Sequence, residues 1–239
     1  MGLGAARLGA LGHDDPVHLQ PRLIPTHVPE HPEGAVLLLH GGAAREGRMA
    51  VSPTQLSVLR MIPIARRIAK AGRGRLAVYR LLNSVRGWDH EFTPVRDVEW
   101  ALDSVQQQHG ELGTCLVGHS LGGRAALMAG GHTGVRSVVA LNPWVYPTDD
   151  TDLAGRRVLF VHGTEDRIAD PARAETVARR VARRTDVGFI QVPGGKHAML
   201  RQGGVFEQAA ADWALATLLG EQVPAPVGRV LAGEPWLTL

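Results

Sequence analysis

A serine flanked by glycines, an isolated histidine behind a glycine pair, and an aspartate between them in sequence could together activate a hydroxyl group. The serine is Ser120, in Gly118-His119-Ser120-Leu121-Gly122, where an apolar run gives way to a small-residue helical segment. A serine hydroxyl is a weak nucleophile at neutral pH unless a neighbouring base takes its proton. The run "VPGGKHAML" offers His197 as that base, behind Gly194 and Gly195. An imidazole that gains a proton needs a carboxylate to orient it, and "FVHGTEDRIADP" offers Asp166. Asp170 competes for that role, but it precedes Pro171 at a helix start, where a carboxylate caps free N–H groups. Negative charge developing on a substrate oxygen needs donors. The run "LLLHGGAAR" supplies backbone amides, of which Gly42 is preferred over Ala43, and the amide of Leu121 follows the serine.

These residues need a frame that brings distant segments to one edge. Apolar runs at 34–40, 74–82, 114–120, 135–142, 156–163 and 186–194 read as buried strands, Val/Leu-rich and continuous as in a parallel sheet covered on both faces. Helical patterns lie between them: 54–71, broken or kinked at Pro63; 94–109; 121–130; 171–184; and 204–219, where Phe206, Ala210, Trp213 and Thr217 make one stripe. The alternation predicts an α/β fold with a mostly parallel, doubly wound sheet flanked by helices. Ser120, Asp166 and His197 then all follow carboxyl ends of strands, where open α/β sheets place their sites.

Four motifs, "HGG", "GHSLGG", "HGTEDRIADP" and "GGKHAML", stand in the order Ser, Asp, His. In these the chain from about 34 to 219 resembles the α/β-hydrolase superfamily, and within it the capless serine esterases and dienelactone-hydrolase-like enzymes. The resemblance implies hydrolysis of a carboxylic ester or thioester of a small-molecule acyl substrate, with no metal and no organic cofactor. Acyl transfer, thioester release or cyclisation is the alternative enzyme reading. A peptidase is a further one, as is a non-catalytic ligand-binding member of the fold, which the intact triad argues against. Only 143–157 separates the strand at 135–142 from the strand bearing the acid, too short for a helical cap domain. The site is therefore expected to be open, bordered by loops 43–53, 83–93 and 143–155.

Other chemistry-bearing residues read differently. Trp88, Trp144 and Tyr146 follow strands on the catalytic edge and are candidates to line the substrate pocket, while Trp100 and Trp213 sit inside helices as core residues. His40, His119 and His162 read as packing or hydrogen-bonding residues near the site, and Cys115 as a small core residue. Arg45, Arg86 and Arg124 are placed either to meet an acidic substrate or to sit in solvent.

At 239 residues, with 44% hydrophobic and 21% charged residues, the chain has the size and composition of one globular domain. Residues 1–33 read as an N-terminal edge segment, whose Pro16, Pro21, Pro25, Pro29 and Pro32 fit one or two edge strands. Residues 220–239 form a tail, with Trp236, Leu237 and Leu239 packing on the body or against a second copy in a homodimer. The bases are nearly all arginine, yet the net charge is only +3. The densest cluster, "ARRVARR", lies on a helix whose Ala174, Val177, Ala178 and Val181 face inward, so a solvated face is expected and no nucleic-acid partner. No apolar run reaches the roughly 20 residues needed to cross a bilayer, and no membrane partner is expected. The N-terminus reads as a packed or frayed end rather than a signal peptide, and the single cysteine fits a reducing cytoplasm.

Overall fold

A computed structural model describes residues 19–43, 49–149 and 151–239. The N-terminal reading of residues 1–18, Arg45 and part of loop 43–53 lie outside the described residues. One eight-stranded sheet runs through the protein. Its strands are β1 (Arg22–His27), β2 (Gly34–Leu39), β3 (Leu76–Leu82), β4 (Thr114–His119), β5 (Val135–Leu141), β6 (Arg157–Gly163), β7 (Asp186–Val192) and β8 (Trp236–Thr238). The spatial order is β1-β3-β2-β4-β5-β6-β7-β8. Only β1 is antiparallel; it lies at the edge, where Pro25 is tolerated beside a register shift.

The sheet's middle is apolar on both faces. Along β2, Ala35, Leu37 and Leu39 join one core with α3 (Thr93–His109), α4 (Leu121–Ala129) and α5 (Pro171–Val181). Val36 and Leu38 join the other core with α2 (Met61–Ala71), α6 (Gly203–Leu219) and α7 (Val227–Leu231). That is why these strands read as unbroken apolar runs rather than alternating ones. From β2 the chain winds first to β3 and then returns to β4 on the other side of β2. The carboxyl ends of β2 and β4 therefore flank the switch point of the winding, where such sheets open a crevice.

Three expectations need correction, and one alternative left open for the tail is decided. The break near Pro63 falls at Arg60, between α1 (Leu56–Leu59) and α2. Pro63 sits in the first turn of α2, where its missing N–H costs nothing. Helix α6 is buried round most of its surface, from Phe206 through Ala216, rather than along one stripe, because α2 and α7 join the sheet in covering it. Trp100 is 41% exposed, whereas Trp213 is core. The tail folds back on the body: β8 extends the sheet beside β7, and Trp236 stacks on Phe189 with ring centroids 5.3 Å apart. No helix among the described residues is long and apolar enough to cross a membrane.

Candidate active site

Strand β4 ends at His119, and helix α4 begins at Leu121, so the whole turn rests on Ser120. Its backbone adopts φ 58, ψ −122, a conformation that non-glycine residues rarely hold. Such strain costs on the order of 1–3 kcal/mol and persists only where the surroundings enforce it. Here the Ser120 N–H donates to the Leu141 carbonyl, and the Trp144 N–H donates to the Ser120 carbonyl at 3.0 Å. The flanking glycines are a steric requirement. A Cβ on Gly118 would lie 2.1 Å from the Gly122 carbonyl oxygen, and one on Gly122 would lie 2.2 Å from the Leu39 carbonyl oxygen.

Ser120 Oγ lies 2.9 Å from His197 Nε2, and His197 Nδ1 lies 2.8 Å from Asp166 Oδ2. A carboxylate only accepts, so Nδ1 carries the imidazole proton and Nε2 is free to accept from the serine hydroxyl. Burial pushes the Asp166 carboxyl pKa up. Hydrogen bonds from His162, His197 and the Ala169 and Ile168 N–H groups outweigh that effect and hold it below the usual carboxylate range. Asp170 instead accepts from the Ala172 N–H at 2.9 Å and caps α5.

The loop carrying the histidine is fastened from two sides. The His197 carbonyl accepts from His119 Nε2 at 2.9 Å and from Asn142 Nδ2 at 3.3 Å. Asn142 Nδ2 also donates to the Lys196 carbonyl at 3.2 Å, while its Oδ1 accepts from the Gly163 N–H at 2.8 Å. Asn142 is fully buried at φ 43, a left-handed conformation that asparagine tolerates better than most residues. Gly163 and Gly195 touch so closely that a Cβ on Gly163 would lie 2.3 Å from the Gly195 carbonyl carbon. His119 is buried beside His197, with ring centroids 4.9 Å apart. Burial first, and the charge of His197 second, lower its pKa to about 3, so it stays neutral. His162 supports the acid, its Nε2 lying 3.1 Å from the Ala169 carbonyl and 3.5 Å from Asp166 Oδ2.

These groups open into a cleft of about 1170 Å³ whose lining includes Ser120, His197, Gly42 and Leu121. Trp88, Trp144 and Tyr146 all line it. Trp144 meets Tyr146 edge-on at 4.9 Å, and Trp88 meets Phe92 edge-on at 5.8 Å. Arg124 ties these walls to α4. Its guanidinium lies 4.2 Å from the Trp88 ring centroid and 4.8 Å from that of Tyr146, and it donates to both oxygens of Asp149 at 2.8 and 2.7 Å. It is a buried, ion-paired strut and not a solvated arginine. Among the described residues, neither the Gly42 nor the Leu121 N–H donates to another group, so both amides remain available at the cleft. No group of three or more His, Cys, Asp or Glu among the described residues is placed to hold a metal ion.

Sequence reasoning did not single out Asn142, although a polar residue closing the apolar run "VRSVVALN" on the catalytic edge was a usable signal. It also passed over Arg60, Ser57, Phe92 and Ile168, which line the cleft from segments read only as helix or loop.

Residues 36–236 match the alpha/beta hydrolase family. Solved structures share the fold at low identity. An α/β serine hydrolase without lid from Xanthomonas campestris is 16% identical with a TM-score of 0.64, the match covering 83% of this chain and 95% of that one. A dienelactone hydrolase from Anabaena variabilis is 18% identical with a TM-score of 0.62, covering 83% and 91%. The esterase domain of a Rhodothermus marinus protein is 16% identical with a TM-score of 0.58, covering 82% and 98%. No curated protein matches the sequence.

Proposed function

Since the chain belongs to the alpha/beta hydrolase family, we propose that it hydrolyses a carboxylic ester or thioester through an acyl-enzyme on Ser120. The observation that carries this reading is the hydrogen-bonded series Ser120–His197–Asp166, with links of 2.9 and 2.8 Å. Ser120 Oγ attacks the acyl carbonyl as its proton passes to His197 Nε2. The carbonyl oxygen takes up the electron pair, and the Gly42 and Leu121 N–H groups donate to it. Each such donor is typically worth about 100- to 1000-fold in rate. Asp166 remains ionised; it fixes the ring's tautomer and stabilises the imidazolium. The intermediate collapses as His197 gives its proton to the departing alcohol or thiol. A water molecule, deprotonated by the same nitrogen, then attacks the acyl-enzyme and releases the acid.

Labelling with a fluorophosphonate tests the reading, followed by a panel of p-nitrophenyl esters graded in acyl length. Wild-type protein should be labelled at Ser120 and turn over at least one ester. Ser120→Ala should lose both while remaining folded, because the hydroxyl belongs to the cleft and not to the core. Full ester turnover in Ser120→Ala would overturn the assignment.

A further inference from the structure

The described residues lining the cleft include two guanidinium groups in different states. Arg124 is neutralised by Asp149 and spent on holding the aromatic walls. Arg60, at the break between α1 and α2, lines the same cleft as Ser120 half-buried, and its Nη1 is shut away from solvent with no hydrogen-bond partner. No acidic residue among the described ones pairs with it: burial alone shifts its pKa, downward, and no carboxylate opposes that shift. Its positive charge reaches the catalytic end of the cleft, where it helps to keep His119 neutral. Among the described residues the lining has one carboxylate, Asp89, which already accepts from the Thr93 N–H at 2.8 Å and the Thr93 hydroxyl at 2.5 Å. A cation that has lost part of its solvent without gaining a counter-charge among the described residues is an unfavourable arrangement, and a ligand supplying the charge relieves it.

The geometry points to a substrate that carries a carboxylate in addition to the bond being cleaved, held by Arg60 while the apolar remainder lies against Trp88, Phe92, Trp144 and Tyr146. This inference rests on the acyl-enzyme reading above. A single guanidinium offers two parallel N–H groups, which match the two oxygens of one carboxylate; the charge of a phosphate would call for further cations. An aromatic cleft with one unspent cation among the described residues thus selects an acid-bearing ester over a neutral one of the same length.

Two arms place the carboxylate on either side of the ester. On the acyl side, mono-p-nitrophenyl glutarate is compared with p-nitrophenyl valerate. On the alcohol side, 4-carboxyphenyl butyrate is compared with 4-methylphenyl butyrate. In one arm the wild type should prefer the anionic member in kcat/KM. Arg60→Gln should lower that preference on the order of 10- to 100-fold, the scale of a hydrogen bond to a charged partner. Arg60→Lys should restore part of it. A ratio that Arg60→Gln leaves unchanged, or no preference in either arm, overturns the inference. A wild-type measurement needs no variant: monomethyl glutarate should slow phosphonate labelling of Ser120 at concentrations where methyl valerate does not. Equal protection by the two also overturns it. Failure of wild-type labelling itself would sink the acyl-enzyme reading instead, so the two failures are distinguishable.

Discussion

Asn142 makes no contact with the cleft, yet its side chain joins the acid-bearing turn to the loop of the base. Its removal is therefore a test of how the site is held. Asn142→Gly is the suitable substitution, because the backbone sits at φ 43, where glycine is unstrained and alanine is not. The change leaves the buried Gly163 N–H without an acceptor, at a cost of about 1–3 kcal/mol. It also removes the two longer bonds to the Lys196 and His197 carbonyls, each worth roughly 0.5–1 kcal/mol. The sum is about 2–5 kcal/mol, which for a chain of this length corresponds to a fall in Tm of roughly 5–20 °C. The His197 carbonyl keeps its bond from His119 Nε2, so the loop should loosen rather than detach.

Activity should fall beyond what stability explains. A catalytic group displaced by about 1 Å can lose on the order of 100-fold in rate. The defect should appear in kcat and in the rate of phosphonate labelling, with KM little changed, because the aromatic residues that line the cleft, Trp88, Phe92, Trp144 and Tyr146, stay in place. Thermal unfolding and ester kinetics well below Tm separate the two effects. A protein that loses Tm but keeps kcat would show Asn142 to be purely structural. One that loses neither would show that these hydrogen bonds carry no weight.

Three further outcomes are expected. Asp166→Asn should lower kcat by roughly 10³- to 10⁴-fold with little loss of Tm, as removal of a triad carboxylate does, whereas Asp170→Ala should cost about 1 kcal/mol and spare activity; a kinetic defect in the second variant alone would reverse the two roles. Gly122→Ala should fail to accumulate as folded protein, since its Cβ would lie 2.2 Å from the Leu39 carbonyl oxygen; a folded, active variant would show that the turn is not sterically fixed. His119, with its pKa lowered from 6.5 to about 3 in the folded protein, is protonated earlier in the unfolded chain. The unfolded state therefore binds more protons as pH falls from about 6.5 toward 3, stability declines across that window, and His119→Gln should flatten the decline; urea midpoints at several pH values that show the same slope for both proteins would refute this.

Ser120, Asp166 and His197, which the structure brings into one hydrogen-bonded series, could be picked out because each follows the end of a strand whose apolar run is unmistakable, with glycines beside it. Asp166 and Asp170 were separable since Pro171 marks the start of a helix. Asn142 was not legible. Its partners are Gly163, 21 residues on, and Lys196 and His197, 54 and 55 residues on. No local pattern announces bonds that exist only once β5, β6 and β7 are aligned. Arg60 was hidden for the same reason, since its unpaired state depends on which acids other segments bring near it. Trp100 was misread because an aromatic residue within an amphipathic helix suggests burial, although its side chain lies toward solvent. Strand β8 is three residues long and depends on pairing with β7, which leaves little for periodicity to detect.

The strand order explains why a non-reacting strand must help to build the site. Ser120 follows β4, Asp166 follows β6 and His197 follows β7, while β5 runs between the nucleophile and the acid. Neighbouring strands lie about 4.8 Å apart, so β4 and β6 are separated by about 10 Å and β4 and β7 by about 14 Å. An imidazole with one hydrogen bond at each nitrogen spans the first distance but not the second. The loop after β7 must therefore bend back across the end of β6 to set its ring between the other two groups. That bend needs close backbone passage, which Gly163 and Gly195 provide, and a fastening point midway. The end of β5 lies midway. A small side chain there with both a donor and an acceptor can hold the base loop and the acid turn together, and Asn142 has that chemistry. The demand comes from the sheet's spacing, and in this chain Asn142 meets it from the strand that carries none of the three groups.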